Sequence, residues 1–563
     1  MKNRNYFLIF IFACCSGIVC TAEGQNKNRH YIKNRIMTTE DGNSFREKVL
    51  YYDIFGKHTE TVQVGASPQG KDLNFTFGYD ILDRPVGESL PLPDGNRNYY
   101  GDAFPYSGCV YGNSSLNRIR EFYGPGAAWW DNGKTVKNEY FTNSTSGLLC
   151  CAEFRAEDSG GDVKLIRSGM YAAGELTVTK TTDEDGKIVY TFTDFEGKLL
   201  LTRRMNGAEP HDTYIVYDAR GRKRIVLPPL AADELTATAS WLCNSSEVIK
   251  KYGYVYRYDG RDRVIEKKLP GCDPVHFVYD RSDRLILKQN GNNRKDGEWQ
   301  YYQYDGLGRE VIWGVLPSSA GREDWEEIFR DTVYCERFIG LGQTDNFGYS
   351  NTSAFNESRI PLIISYYDSY GFEALSDSFL TFVDKPEFGK RIERPTGKLT
   401  GQIIALLNNP ELKEHVTHYY DNRGREIQTN ACSISGFHNY SFTKYDFIGQ
   451  PISVRKEHYS IYPAKAILEP EATYDHTIVY DYEYDHAGRV TRLYQTFDKN
   501  ERIKIAEYRY DEAGRLVGKE LHDGKFECKY DYNIRGWLTE IDEPFMNEKI
   551  YYNEDLPEGV EPL

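Results

Sequence analysis

Tyr258-Asp259-Gly260-Arg261-Asp262-Arg263, Tyr279-Asp280-Arg281-Ser282-Asp283-Arg284 and Tyr304-Asp305-Gly306-Leu307-Gly308-Arg309 follow one another in the middle of this chain. Each opens on Tyr-Asp, leaves two positions free, and closes on a small or turn-forming residue followed by Arg. The steps between their aspartates are 21 and 25 residues. Self-similarity at such a period marks a repeat architecture, in which each unit is stabilised by stacking on its neighbours.

The signature recurs on both sides of that stretch. Upstream copies are Tyr52-Asp53 with Gly56-Lys57, Tyr79-Asp80 with Asp83-Arg84, and Tyr217-Asp218 with Gly221-Arg222. Downstream copies are Tyr420-Asp421 with Gly424-Arg425, Tyr445-Asp446 with Gly449-Gln450, Tyr484-Asp485 with Gly488-Arg489, and Tyr510-Asp511 with Gly514-Arg515. Degenerate versions stand at Thr193-Asp194 with Gly197-Lys198, Tyr367-Asp368 with Gly371, and Tyr532-Asn533 with Gly536.

Turn chemistry explains the residue types. A short Asp side chain accepts hydrogen bonds from backbone N–H groups two residues on. A glycine three residues later supplies the left-handed conformation that closes a hairpin with a bulge. Asp83, Asp262 and Asp283 suit that position, because Asp tolerates positive φ better than most side chains. The flanks, such as Val278-Tyr279 before a turn and Leu285-Ile286-Leu287 after it, are strand material. Each unit is read as strand, tight turn, strand. Wide gaps between copies are read as inserted loops.

A catalytic group is needed once, so ten copies of one carboxylate argue for ten turns. Asp53, Asp80, Asp218, Asp259, Asp280, Asp305, Asp421, Asp446, Asp485 and Asp511 are therefore assigned structural roles. The same holds for Gly56, Gly221, Gly308, Gly424, Gly449, Gly488 and Gly514, and for Arg222, Arg309, Arg425, Arg489 and Arg515. No residue is assigned to catalysis, to a cofactor or to a metal.

Among 563 residues there are 45 Tyr and 5 Met. Counting Gly and leaving out Tyr, the apolar share is about 41%, under the usual range of about 45–50%. A conventional sandwich core would be under-filled. A broad sheet with two partly wetted faces, held by cross-strand Tyr and charged pairs, fits better. A net charge of −15 opposes binding to a phosphate backbone.

The N-terminus reads as a signal peptide over 1–24. Lys2 and Arg4 precede an apolar run from Tyr6 to Ala13, and Cys20-Thr21-Ala22 offers small residues for cleavage. Ile11-Phe12-Ala13-Cys14 offers a lesser reading, lipoprotein anchoring at Cys14, disfavoured by the short apolar stretch before it. The run is too short for a permanent transmembrane helix. Eight cysteines follow the leader, from Cys109 to Cys528. Export permits disulfides between them, but no spacing assigns pairs.

Segment 26–165 is distinct from the rest. Its Tyr31-Ile32, Gly65-Ala66-Ser67-Pro68 with Lys71-Asp72, Tyr79-Asp80 and Tyr123-Gly124-Pro125-Gly126 resemble a domain of unknown function. In secreted proteins of Gram-negative bacteria that domain precedes RHS (YD) repeats. Segment 174–545 is similar to the RHS-repeat body itself. The repeated Tyr-Asp signature carries this resemblance, with Thr181 to Gly186, Val226-Leu227-Pro228-Pro229 and Lys268-Leu269-Pro270-Gly271. Residues 546–563 are read as a C-terminal end or truncation.

The resemblance implies an all-β fold: repeated β-hairpins forming a long, curled, shell-like antiparallel sheet with a β-rich N-terminal domain and minor helical insertions. In relatives the shell encloses a C-terminal, often toxic, polypeptide, and an Asp-Pro-x-Gly-Leu motif performs self-cleavage. Here the only Asp-Pro is Asp273-Pro274, followed by Val275-His276-Phe277. Autoproteolysis and a resident toxin are not carried over. The shell is expected to be incomplete or completed by another chain.

Other motifs fare less well. Gly65 to Lys71 matches the spacing of a phosphate loop, but Asp72 stands where Ser or Thr must hold magnesium, and Pro68 removes a donor. His415 and His418 lie three apart on an expected strand and would face opposite sides. Trp129-Trp130 is the best candidate for stacking on sugars, and is read first as packing. Arg322 to Phe329 reads as a short helix, and Ile403 to Lys413 as a strand-to-helix excursion.

The expectation is a secreted or surface scaffold, non-enzymatic, that encapsulates or contacts a partner polypeptide, in the manner of a polymorphic-toxin system. The alternatives are a cell-surface adhesin binding glycans and an enzyme of unrecognised type. No nucleic acid partner is expected, and no transmembrane segment after signal removal.

Overall fold

The computed structural model describes residues 18–22, 30–340, 346–352, 355, 359–373, 380–434, 437–460, 475–552 and 556–559. The chain is all-β, built of large antiparallel sheets with a few short helices. It divides into two compact units. One comprises 136–378 and 394–416. The other comprises 1–135, 379–393 and 417–563.

In the first unit a sheet runs as a meander in which sequence neighbours pair antiparallel. Val136–Thr142 pairs with Thr177–Thr182, and the order continues through Ile188–Thr193, Leu199–Asn206, Glu209–Tyr217 and Lys223–Leu227. It continues through Tyr254–Tyr258, Val264–Lys268, Val275–Tyr279, Leu285–Gln289, Glu298–Tyr304, Glu310–Pro317, Ile360–Tyr367 and Leu399–Leu406. The long gap from Asp218 to Asp259 is filled by two short helices, Pro229–Glu234 and Glu247–Tyr252, and the strand Ser240–Leu242.

The expectation of two wetted faces fails in this unit. A three-stranded sheet, Ala152–Ser159, Asp162–Met170 and Ser240–Leu242, buries Phe154, Val163 and Leu165 with Phe192, Leu201 and Ile225 of the meander. A second core gathers Leu287, Trp299, Ile312 and Ile364 with Trp325 and Phe329 of the helix Arg322–Phe329. The inserted segments supply the second layer that the composition made hard to foresee. That helix forms where the acidic first turn predicts it. Over Ile403 to Lys413 the predicted helix is absent. Leu399–Leu406 and Asn409–Tyr420 are strands joined by a turn at Leu407-Asn408. Alternating burial along Leu399–Leu406 is the period of a strand.

In the second unit, His30–Met37, Phe45–Tyr52, His58–Val64, Leu73–Tyr79 and Pro85–Glu88 form consecutive antiparallel pairs. Ile18–Ala22 pairs with His30–Met37 on the outer side. The rest of the predicted leader, including Cys14, lies outside the described residues. The C-terminal part is a further meander from Glu426–Cys432 to Met546–Lys549. Along His476–Tyr484 and Val490–Phe497 no residue is fully buried, and the side chains of both faces are half-covered. Here the two-faced sheet foreseen from composition is what stands. No helix among the described residues is long and apolar enough to cross a membrane.

Candidate functional site: a stitched ladder of turns

The turn at Asp259 shows how one repeat closes. Asp259 N–H donates to the Arg263 carbonyl (3.0 Å), and Asp262 N–H donates back to the Asp259 carbonyl (3.3 Å). Asp259 Oδ1 accepts from the N–H groups of Arg261 (2.9 Å) and Arg263 (3.0 Å). Oδ2 accepts from Arg263 Nε at 2.6 Å. Asp262 takes φ +63°, the left-handed conformation that closes the loop. A bulge sits at Arg257/Tyr258, where the extra residue lets the strand enter the turn.

All ten copies share this construction. In each, Asp Oδ1 accepts the N–H four residues on, at 2.7–3.0 Å. In the eight copies ending in Arg, Nε reaches Oδ2 of the same turn at 2.6–2.8 Å. At Asp80, Asp218, Asp259, Asp280, Asp305 and Asp421 the carboxylate thus serves two backbone donors and a guanidinium. The fourth position of the turn has positive φ throughout, +62° to +65° at Asp83, Asp262 and Asp283 and +74° to +91° at the glycines.

What the motif does not announce is how neighbouring turns join. Arg263 Nη1 donates to the carbonyl of Asp280 in the next turn at 2.7 Å, and the guanidinium lies 5.0 Å from the Tyr279 ring. Arg222 and Arg284 do the same toward Asp259 and Asp305, each at 3.4 Å, with Tyr258 and Tyr304 each 5.1 Å away. In the second unit Arg425 reaches Asp446 at 2.7 Å. The tyrosines bond in the opposite direction. Tyr258, Tyr279 and Tyr304 donate their hydroxyls to the carbonyls of Lys223, Val264 and Leu285 at 2.8–2.9 Å. Tyr445, Tyr484, Tyr510 and Tyr532 donate likewise at 2.7–2.9 Å. These repeats are tied forward by Arg and backward by Tyr.

Exceptions follow from the side chains. Lys57 lacks a fork and pairs with Asp83 of the next turn. Gln450 donates to the Gly488 carbonyl at 3.0 Å. Asp368 does not head a turn with Gly371. Its carboxylate takes both Nη atoms of Arg309, at 3.0 and 2.6 Å, and the N–H of Gly397 at 2.6 Å. The degenerate copies at Asp194 and Asn533 do close as turns of this pattern, and two further turns lack the Tyr-Asp pair. Asp183 caps Lys187, and Ser67 Oγ caps Lys71 at 2.8 Å. The phosphate-loop spacing at Gly65 to Lys71 is therefore a Ser-capped turn.

The electrostatics match this packing. The backbone N–H of Arg84 and then its side chain hold Asp80 below the ordinary carboxylate range. Burial works to raise Asp218 and Asp259, but hydrogen bonds from Arg222 and Arg263 prevail and both lie low. Burial raises the tyrosines of the ladder, Tyr279 and Tyr510 among them. Behind the turns, buried Arg224 bridges Asp158 (2.5 Å) and Asp218 (3.2 Å).

Within the second unit the segment before 135 lies on the last turns of the C-terminal meander. Lys71 pairs with Glu512 at 2.8 Å, Arg489 donates to the Ala66 carbonyl at 2.9 Å, and Arg535 to the Pro125 carbonyl at 3.0 Å. The Arg535 guanidinium lies 3.4 Å from the centre of the Trp129 ring. Trp130 is stacked between Phe104 (4.9 Å) and Tyr123 (4.3 Å), with Nε1 donating to the Gly124 carbonyl. Neither tryptophan offers a free face to a sugar. His418 faces Glu426 at 3.3 Å. Among the described residues no three His, Cys, Asp or Glu side chains gather as a metal site requires. Cys109, Cys150, Cys151, Cys243, Cys272, Cys335 and Cys528 carry free thiols. Burial pushes Cys151 and Cys243 up to about 12.

Residues 25–142 match DUF6443, a domain of unknown function. The DUF6443 segment is thus the one that holds the turns at Asp53 and Asp80 and rests on the last turns of the meander. Over 526 residues the chain is 19% identical to salivary gland surface protein 1 of Aedes aegypti, covering 91% of this chain and 14% of that protein. It resembles the crystal structure of TcdB2-TccC3 without its hypervariable C-terminal region at 12% identity and a TM-score of 0.46, covering 92% of this chain and 23% of the other. It also resembles the Tc holotoxin pore of Photorhabdus luminescens at 13% identity and a TM-score of 0.33, covering 91% and 26%. The chain spans less than a third of each of these proteins.

Proposed function

We propose that this protein is an exported, non-enzymatic scaffold of the RHS/YD-repeat kind, whose stitched sheet forms a wall that encloses or contacts a partner polypeptide. The observation that carries the reading is the ladder. The repeated carboxylates and guanidiniums, the groups with most chemical potential here, are committed to one another and to backbone. Arg forward and Tyr backward lock successive hairpins in register, which suits a wall more than a mobile catalytic loop. The half-covered faces of the C-terminal meander leave room for a partner surface. The DUF6443 segment would then serve as a fixed end-piece on the last turns. Neither a cofactor nor nucleic acid has a part in this reading.

Affinity capture of the tagged mature protein from its native secreted fraction, with mass spectrometry of what co-purifies, tests it. A stoichiometric polypeptide partner is the expected result. Recovery of the chain alone, soluble and monomeric, would overturn the reading.

A further inference from the structure

Three neighbouring turns of the DUF6443 segment carry apolar side chains at their tips. Ile54 and Phe55 occupy the two free positions of the Asp53 turn and are 64% and 79% exposed. Ile81 and Leu82 occupy those of the Asp80 turn and are 99% and 65% exposed. Leu116, in the loop between Gly108–Tyr111 and Ile119–Tyr123, is 65% exposed. The turns stand side by side. Lys57 bridges to Asp83, and Arg84 donates to Asn117 (3.4 Å) and lies 4.2 Å from the Tyr111 ring. Scattered single apolar residues need no explanation, but five on adjacent tips do.

Two apolar tips of the same motif elsewhere in the unit are covered by the chain itself, whereas Phe545, alone in its own turn, is 85% exposed. Phe447 lies under Arg423, and Ile534 packs against Gly126. The tips at 54, 81, 82 and 116 have no such cover, and Phe55, with Lys57 Nζ 5.9 Å from its ring centre, is still 79% exposed.

We propose that this trio of turns inserts into the surface of a phospholipid bilayer. The backbone is prepared for an apolar medium. Asp53 Oδ1 takes the N–H groups of Phe55 and Lys57, each at 2.9 Å, and Asp80 Oδ1 takes those of Leu82 and Arg84, each at 2.9 Å. An unsatisfied backbone donor is what hydrocarbon penalises most, and these donors are satisfied. The charges at the base are paired within and between turns. Residues 25–142 hold 14 basic and 14 acidic residues in a chain of net charge −15, so this segment is neutral and an anionic headgroup layer does not repel it through net charge. A second copy of the chain is a poor occupant, because a stable protein interface takes about 20–30 residues a side and five tips fall far short.

The test uses the full mature chain with vesicles of phosphatidylcholine alone and of phosphatidylethanolamine with phosphatidylglycerol. Co-sedimentation with both, persisting at high salt, is expected. Ile54→Ser, Phe55→Ser, Ile81→Ser and Leu82→Ser combined should weaken partitioning by about tenfold or more, since each tip contributes buried apolar area. Thermal melting of this variant should match the parent. Phe55→Trp should show a blue-shifted emission on vesicle addition. No binding, binding unchanged in the quadruple variant, or binding only to phosphatidylglycerol vesicles at low salt would overturn the proposal. Self-association of the parent that the quadruple variant abolishes, without vesicle binding, would overturn it in favour of contact between copies.

Discussion

Arg263 holds the carbonyl oxygen of Asp280 at 2.7 Å while its own Nε stays on Asp259, so one guanidinium ties two successive turns together. It also stacks on Tyr279 and reaches Asp283 at 3.0 Å. The side chain therefore adds a tie at the turns to the strand pairing of Val264–Lys268 with Val275–Tyr279.

Replacing Arg263 by Ala should loosen the ladder locally. Loss of charge-assisted hydrogen bonds at a partly buried site costs about 1–3 kcal/mol. Arg263→Lys should recover little of it, because an ammonium lacks the planar fork and the stacking surface. Hydrogen exchange of the amides around 279–284 measures this. Unchanged protection there in Arg263→Ala would mean that the stitch contributes nothing.

Gly308 isolates the backbone term. Its φ is +80°, and a Cβ built there meets no atom within 4 Å. Gly308→Val should therefore destabilise by about 1–3 kcal/mol through conformation alone. Gly308→Asn should cost less, because Asn tolerates the left-handed region. Thermal unfolding of the pair gives the order; equal melting temperatures would refute it.

Trp130 separates packing from recognition. With both ring faces stacked and the residue partly buried, Trp130→Ala should destabilise by about 2–3 kcal/mol, less than the cost of emptying a fully buried aromatic site. Denaturant unfolding measures this. A variant with parental stability but altered glycan-array binding would return the pair to a sugar-binding role.

The acid limb of stability has a defined sign. Asp80, Asp218, Asp259 and Asp368 have folded pKa values below the ordinary one, Asp368 chiefly through Arg309. A lowered carboxylate pKa gives stability that is present above the unfolded pKa of about 3.9 and is lost as pH falls through the folded value. From these groups the melting temperature should be flat between about pH 5 and 8 and should fall below about pH 4. A fall confined to the range above pH 5 would show that other groups govern it.

Much of the fold was legible in the chain because a turn is local. The Asp, the positive-φ position and the Arg of each copy lie within five residues, so their hydrogen bonds follow from spacing alone. The helix Arg322–Phe329 was legible for the same reason, from its acidic first turn. Over Ile403 to Lys413 local propensity misled, since pairing of Leu399–Leu406 with Ile360–Tyr367 decides the conformation. Ser67 and Asp183 head turns that a search for Tyr-Asp passes over.

By itself the sequence determined that ten Tyr-Asp signatures make ten hairpin turns in an antiparallel, all-β chain, because each turn closes on its own atoms. Tertiary structure alone decided where the outer atoms of each Arg and Tyr go. Their partners are carbonyls some 15 to 40 residues away, as from Tyr279 to Val264 and from Arg222 to Asp259, and backbone carbonyls carry no mark in a sequence. It also decided which turn tips are covered. Ile534 and Ile81 occupy equivalent positions of the same motif, yet one lies against Gly126 and the other is 99% exposed. That difference depends on which segments of the chain come to lie over a turn, and a local motif does not encode it.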